Sequence, residues 1–283
     1  MTQAQVRDNP VTTVVIRPSV RRFSLGLSES WKCRHLLRVF LWRDIKVRYK
    51  QTVLGLGWAI LQPLLSVGVF TLVFGRIARV PTDGVPYPVF VLCGLTPWQV
   101  FARGITRSSN GLVENHYLLT SAYIPRLLLP LAAVLSAFAD FGIEFLLLLA
   151  MMLGYHVRLV PLAVLTIVPF LLLALAASIG LGFFLSALNV RYRDVGYTVP
   201  FFMQLLFFVT PVVYPGGLVP PHLRWLSALN PMANVVEGFR WALLHGPSPA
   251  VPGLIFSILG TVGFLLAALL YFRRVERSFA DLV

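Results

Sequence analysis

Six stretches of the chain are apolar at nearly every position, and the polar residues collect between them. Residues 54–74 carry no formal charge. Residues 85–102 form a shorter stretch, interrupted by Pro86, Pro88 and Pro97. Residues 127–153 contain Asp140 and Glu144, while 159–188, 195–213 and 251–272 are uncharged. A helix needs about 20 mostly apolar residues to cross the hydrocarbon of a bilayer. Lipid offers no partner to bare backbone groups, so such stretches are helices rather than open strands. The apolar positions are consecutive rather than alternating, which excludes a barrel. The pattern predicts an all-α integral membrane protein with six transmembrane helices.

Two further segments have helical patterning without the length to span. In residues 31–50, Leu36, Leu37, Phe40, Leu41 and Val47 share one sector of a helical wheel, while Arg38, Arg43, Lys46 and Lys50 fall mostly opposite. Arg48 intrudes on the apolar side. Ser30 is placed to cap this helix before Trp31, and an interfacial amphipathic helix is expected there. Between the fifth and sixth stretches, Pro215, Gly216 and Gly217 break the helix, and Asn230-Pro231 divides residues 219–229 from 232–244. Each half is about a dozen residues long, the length of a re-entrant half-helix. Irregular backbone at that depth is tolerated only against protein or a water-filled cavity.

Composition agrees with a membrane solvent. Of 283 residues, 57% are hydrophobic and 12% charged, where a soluble domain carries about a quarter charged. A net charge of +13 could suit nucleic acid, but the basic residues punctuate apolar segments instead of forming a face with interleaved polar groups, so no nucleic-acid partner is expected. Their distribution sets topology. Counting 1–53, 103–126, 189–196 and the residues after 272 together places 19 of the 24 Lys and Arg on one side. Arg76, Arg79, Arg158, Arg224 and Arg240 fall on the other. The positive-inside rule then puts both termini in the cytoplasm. Residues 1–30 read as a mobile cytoplasmic segment without secretory-signal character, and 273–283 as a cytoplasmic tail.

Chemistry-bearing patterns are sparse. The five His are scattered, Cys33 and Cys93 are far apart, and no nucleophile, metal or phosphate-loop motif occurs. Asp140 and Glu144, at i and i+4, share a helix face near mid-bilayer, where a carboxylate costs about 2.5–3.5 kcal/mol on insertion scales. No Lys, Arg or His lies inside another expected span to pair with them. Polar packing between helices, a place on a transport path and ion coupling are all open to this pair.

The stretch RDIKVRYKQTVLGLGWAILQPLL, residues 43–65, resembles the start of the first transmembrane helix in permease subunits of polysaccharide-exporting ABC-2 transporters, the family moving O-antigen, capsule or teichoic acid. TPVVYPGGLVPPHLRWLSALNPMANVVEGFRWALL, residues 210–244, resembles the family's external segment before the last helix. The resemblance runs from about Trp31 to Phe272, with a feel closest to the O-antigen branch.

It implies a transmembrane domain over 51–272, with no enzymatic activity or cofactor in this chain. ATP and Mg²⁺ would be held by a separate ABC ATPase subunit. A second copy of the chain, membrane lipids and a lipid-linked glycan would be the other partners, in the bacterial inner membrane. The connection 103–126 would be a coupling element, with Ser108, Ser109 or Asn110 capping a short helix through Glu114. Asp44, Arg48, Asn110, Glu114, Arg191 and Asp194 are the implied ATPase contacts. The segment 214–250 would form an external gate around Trp225, Asn230, Pro231, Glu237 and Trp241. Aromatic rings stack on sugars without demanding one linkage, so Tyr49, Trp58, Phe201, Phe202, Phe207, Phe208 and Tyr214 are candidate path-lining residues. Gly55, Gly57, Ser178, Gly180 and Gly182 suit close helix approach, and hence a homodimer. The alternatives are a permease of the same fold for a drug or lipid, and a carboxylate-coupled secondary transporter.

Overall fold

The computed structural model describes residues 33–50, 55, 57–121, 124–158, 160–220, 222 and 224–276. The expectations for residues 1–30, the Ser30 cap, the side chain of Tyr49 and the last residues of the tail lie outside these. Among the described residues the chain is helical, without strands. Helix α1 is Arg34–Lys50, and α2 is Gly57–Phe70, continuing as a π-helical turn over Thr71–Ile77. Arg79, Asp83 and Gly84 take positive φ and turn the chain towards α3, Tyr87–Glu114.

Helix α3 is longer than the apolar pattern implied. Pro86 and Pro88 do not interrupt it; they begin it, where proline's missing donor costs nothing. Pro97 is accommodated inside. The helix runs on through Arg103 and Arg107 to Glu114, so the first half of the expected connection 103–126 is helix, followed by the short α4, His116–Ser121. The third apolar stretch is divided at Asp140 into α5, Leu128–Ala139, and α6, Phe141–Gly154. Then come α7, Pro161–Arg191, and α8, Asp194–Val209. After a 3₁₀ turn, Gly216–Leu218, the region where the first half-helix was expected holds α9, Arg224–Leu229. Helix α10 is Pro231–Leu244, and the last helix is α11, Val251–Glu276.

Among the described residues, five helical segments are long and apolar enough to cross a membrane: Gly57–Ile77, Tyr87–Glu114, Leu128–Gly154, Val164–Arg191 and Val251–Glu276. Helix α8 is apolar but shorter. Helix α3 is central, with 78% of its most apolar window buried inside the protein, against 11% for the first segment and 22% for the last. It packs on α5, α6, α7, α8 and α10. Small residues set the spacing. A Cβ at Gly182 would stand 2.5 Å from Ser108 Oγ, and one at Gly180 would stand 3.3 Å from the Leu265 Cα. The small-residue faces of α7 are thus used within the chain, against α3 and α11, and not left free for a second copy.

The core falls into two clusters. The larger surrounds α3 with Phe90, Leu92, Trp98, Phe101, Phe207 and Phe239. The smaller gathers Phe40 of α1 with Leu112, Leu128, Phe183 and Phe272 at the other end of α3. Phe40 is buried where α1 docks onto the bundle, with Leu36 and Leu37 packed beside it.

Candidate functional site

At the α1 end, the structure supplies partners for both carboxylates. Arg48 donates to Asp140 and, at 3.5 Å, to Ser136 Oγ. Arg103 donates to Glu144. Asp140 and Glu144 are 4% and 2% exposed, so each is a carboxylate removed from water and answered by one guanidinium. The expectation that no cation was available is corrected. Arg103 lies on the unforeseen extension of α3, and Arg48 reaches in from α1. Adjacent turns of one face are therefore held by two different helices. Buried pairs of this kind offset their desolvation only through good geometry, and breaking one strands the other charge. Glu144 Oε2 has no hydrogen-bond partner among the described residues, so its contact is one-sided.

A second polar cluster joins α3, α7 and α8. Asn189 Nδ2 donates to the Ser109 carbonyl at 2.9 Å and to Asn110 Oδ1 at 3.0 Å, while its Oδ1 accepts from the Gly196 N–H at 3.0 Å. A Cβ at Gly196 would approach Asn110 Oδ1 to 2.5 Å, so glycine is required for this closeness. Asn110 Oδ1 is thereby engaged inside the chain, while the residue as a whole is half-buried. Asp44 pairs with Arg43 at 2.9 Å. Glu114, Arg191 and Asp194 are exposed, with Arg191 lying over the Tyr192 ring at 5.5 Å. Of the six implied ATPase contacts, these three present exposed surface, while Arg48 pairs with Asp140 and Asn110 Oδ1 with Asn189.

The opposite end of α3 carries a different construction. After α8 the backbone leaves regular structure at residues 211–214, yet Val212 and Val213 are buried. Arg240 Nη1 donates to the Pro211 carbonyl at 2.7 Å and the Tyr214 carbonyl at 3.1 Å, and Nη2 donates to the Val212 carbonyl. Tyr87 Oη donates to the Val213 carbonyl at 2.8 Å. Four consecutive carbonyls are satisfied by two side chains, which is what allows irregular backbone to be buried without water. The Arg240 guanidinium carbon also lies 3.7 Å from the Phe90 ring centre, a cation–π contact strengthened by desolvation. Burial pushes the Arg240 guanidinium down to about 10, so it remains charged at neutral pH.

Helix α10 is anchored around this strap. Asn230 Oδ1 accepts from the Met232 N–H at 3.0 Å, capping the helix, and its Nδ2 donates to Thr210 Oγ1 at 2.8 Å. Pro231 occupies the first helical turn. A Cβ at Gly216 would collide with Glu237 Oε1, and one at Gly238 with the Phe170 ring. Burial raises the Glu237 carboxyl, against the pull of Arg240. Trp241 meets Phe170 edge-on at 6.4 Å, and Trp225 is exposed. Sequence reasoning named Glu237 and Trp241 here but missed Arg240 and Tyr87. The available signal was the pair of opposite charges, Glu237 and Arg240, in a segment of otherwise uncharged residues.

The aromatic residues divide. Trp58 on α2 and Phe201, Phe202 and Phe208 on α8 are exposed. Phe207 is instead buried, 5.5 Å from the Phe70 ring and 5.7 Å from that of Trp98, so it packs the core. Tyr214 Oη donates to the Phe208 carbonyl at 2.9 Å, closing the end of α8.

With this architecture in place, residues 35–244 match the family described as ABC-2 type transporter. The O-antigen export system permease protein RfbA of Klebsiella pneumoniae is 29% identical over 251 residues, covering 88% of this chain and 95% of the relative. The protein of the same name from Myxococcus xanthus is 28% identical over 262 residues, covering 89% and 97%. The polysialic acid transport protein KpsM of Escherichia coli is 25% identical over 238 residues, covering 83% and 92%. The chain belongs to the ABC-2 type transporter family.

Proposed function

We propose that this chain is the membrane permease subunit of an ATP-driven exporter that carries a lipid-linked polysaccharide across the bacterial inner membrane. The observation that carries the reading is similarity over nearly the whole length of permeases named for O-antigen and polysialic acid movement. On this reading α8 is a sixth, short span, both termini are cytoplasmic, and two copies enclose the path. The exposed rings of Trp58, Phe201, Phe202 and Phe208 supply stacking surface for the glycan. The strap held by Arg240 and the capped α10 form its external boundary. ATP is hydrolysed by a partner subunit seated against Glu114 and residues 191–194. The carboxylate-coupled alternative loses its main support, since Asp140 and Glu144 each hold a guanidinium.

The test is a deletion of the gene combined with purification of the tagged chain. The expected result is lipid-linked glycan accumulating inside the cell, and an ATPase subunit leaving detergent with the chain in equal amount. Normal surface glycan in the deletion strain, or a chain that purifies alone and moves solute on a proton gradient, would overturn the reading.

A further inference from the structure

A cavity of about 450 Å³ opens between α1, the last turns of α3 and α5. It far exceeds the roughly 30 Å³ share of one water. Its polar lining is Arg43, Asp44, Arg48, Arg107, Glu114 and Asn115, over a floor of small α5 residues. Three guanidiniums thus face two carboxylates.

The pairing within this set is incomplete. Arg43 is held by Asp44 and donates to Asn115 Oδ1 at 3.0 Å, and Arg48 is committed to Asp140. Glu114 is exposed at the rim. Arg107 Nη1 is buried without a hydrogen-bond partner among the described residues. The side chain is half-buried, and a buried donor without an acceptor is costly, yet here it borders a cavity with room for an anion. Position matters too. Arg107 lies 20 residues beyond Tyr87 on one helix, about 30 Å at 1.5 Å per residue, which matches the thickness of the hydrocarbon layer. If Tyr87 marks one boundary, Arg107 stands at the headgroup level of the other. Basic pockets between helices at that level suit lipid phosphates, and a guanidinium fork matches phosphate geometry.

We propose that this cavity is a phosphate-binding site, with Arg107 as its principal contact and Arg43 as the second, occupied by the phosphate of an anionic phospholipid or by a soluble phosphate. Asp44 competes with the ligand for both guanidiniums. The site is separate from the exposed aromatic surface of α2 and α8, and does not depend on what the chain exports.

The experiment uses the full chain, purified with its partner if one is found, and compares Arg107→Gln, Asp44→Asn and Arg38→Gln. Arg38 is an exposed α1 cation outside the cavity, so its variant controls for charge. Native mass spectrometry follows retained phosphatidylglycerol, and calorimetry follows inorganic phosphate. The expected result is that Arg107→Gln weakens binding about 10-fold or more, as loss of a charge-assisted contact should. Asp44→Asn should tighten it several-fold, and Arg38→Gln should leave it unchanged. Dependence seen only with phosphatidylglycerol assigns a lipid headgroup; dependence seen with inorganic phosphate assigns a soluble ligand. Should Arg107→Gln fail to fold, the tightening in Asp44→Asn still decides. Binding of neither probe, or equal binding by all three variants, overturns the site.

Discussion

Arg240 and Arg103 are both guanidiniums taken into the protein, but the two ends of α3 satisfy them differently. At the Tyr87 end, Arg240 is surrounded by backbone carbonyls and the face of Phe90. At the Glu114 end, Arg103 and Arg48 meet carboxylates from the neighbouring turns of α5 and α6. One arrangement fixes a stretch of chain that has no regular structure. The other fixes the distance between helices that already have it. The first therefore specifies the shape of a loop, and the second the register of a bundle.

Breaking the first arrangement should cost most. Arg240→Met leaves three buried carbonyls without donors, at about 1–3 kcal/mol each. The expected outcome is loss of folded protein from the membrane, read by thermal unfolding in detergent and by steady-state level. Arg240→Lys keeps the charge but not the fork, and should fall between that variant and the native chain. Next comes Glu144→Gln, which strands Arg103 and should cost about 3 kcal/mol. Asp140→Asn should cost less, about 1–2 kcal/mol, because Arg48 keeps Ser136 Oγ as a second acceptor. Its signature is local: faster hydrogen exchange over α1, with the larger core unchanged.

The remaining effects are smaller. Asn189→Ala removes three hydrogen bonds at one junction and should cost about 1–2 kcal/mol, with the Gly196 amide exchanging faster than its neighbours. Phe201→Ala and Phe208→Ala alter exposed side chains, so stability should stay within about 0.5 kcal/mol, while export falls several-fold if these rings bear on the glycan. A stability loss without an export defect would assign them to lipid or to subunit packing.

The sequence made these regions unequally legible. Long apolar runs are visible because twenty consecutive hydrophobic residues are stable only in lipid or inside protein. The helices at Gly57–Ile77, Val164–Arg191 and Val251–Glu276 lie where those runs predicted. The extension of α3 was hidden because Arg103, Arg107 and residues 108–110 end the apolar pattern, although their surroundings are protein rather than water. Arg48 did leave a trace: it fell on the apolar side of the α1 wheel, which is where a residue reaching Asp140 must lie. Asn230-Pro231 marked a boundary, and α10 begins there with the expected proline and an Asx cap. Arg240 is, with Glu237, one of two charges in residues 232–244, but its role was missed because its partners are carbonyls that every residue carries. Phe207 could not be told from Phe208 by composition; only the packing of Phe70 and Trp98 separates them.

The central claim is that Asp140 and Glu144 hold helices in place while ATP drives transport. The most direct measurement is ATP-dependent glycan transport in membrane vesicles by Glu144→Gln, Arg103→Met and the double variant Arg103→Met/Glu144→Leu, with unfolding midpoints recorded alongside. The account predicts that each single variant loses stability and transport together, and that the double variant recovers much of both, since no charge is left stranded. A double variant that is as stable as the native chain but as inactive as Glu144→Gln would contradict it, and would make the carboxyl group itself part of the transport step.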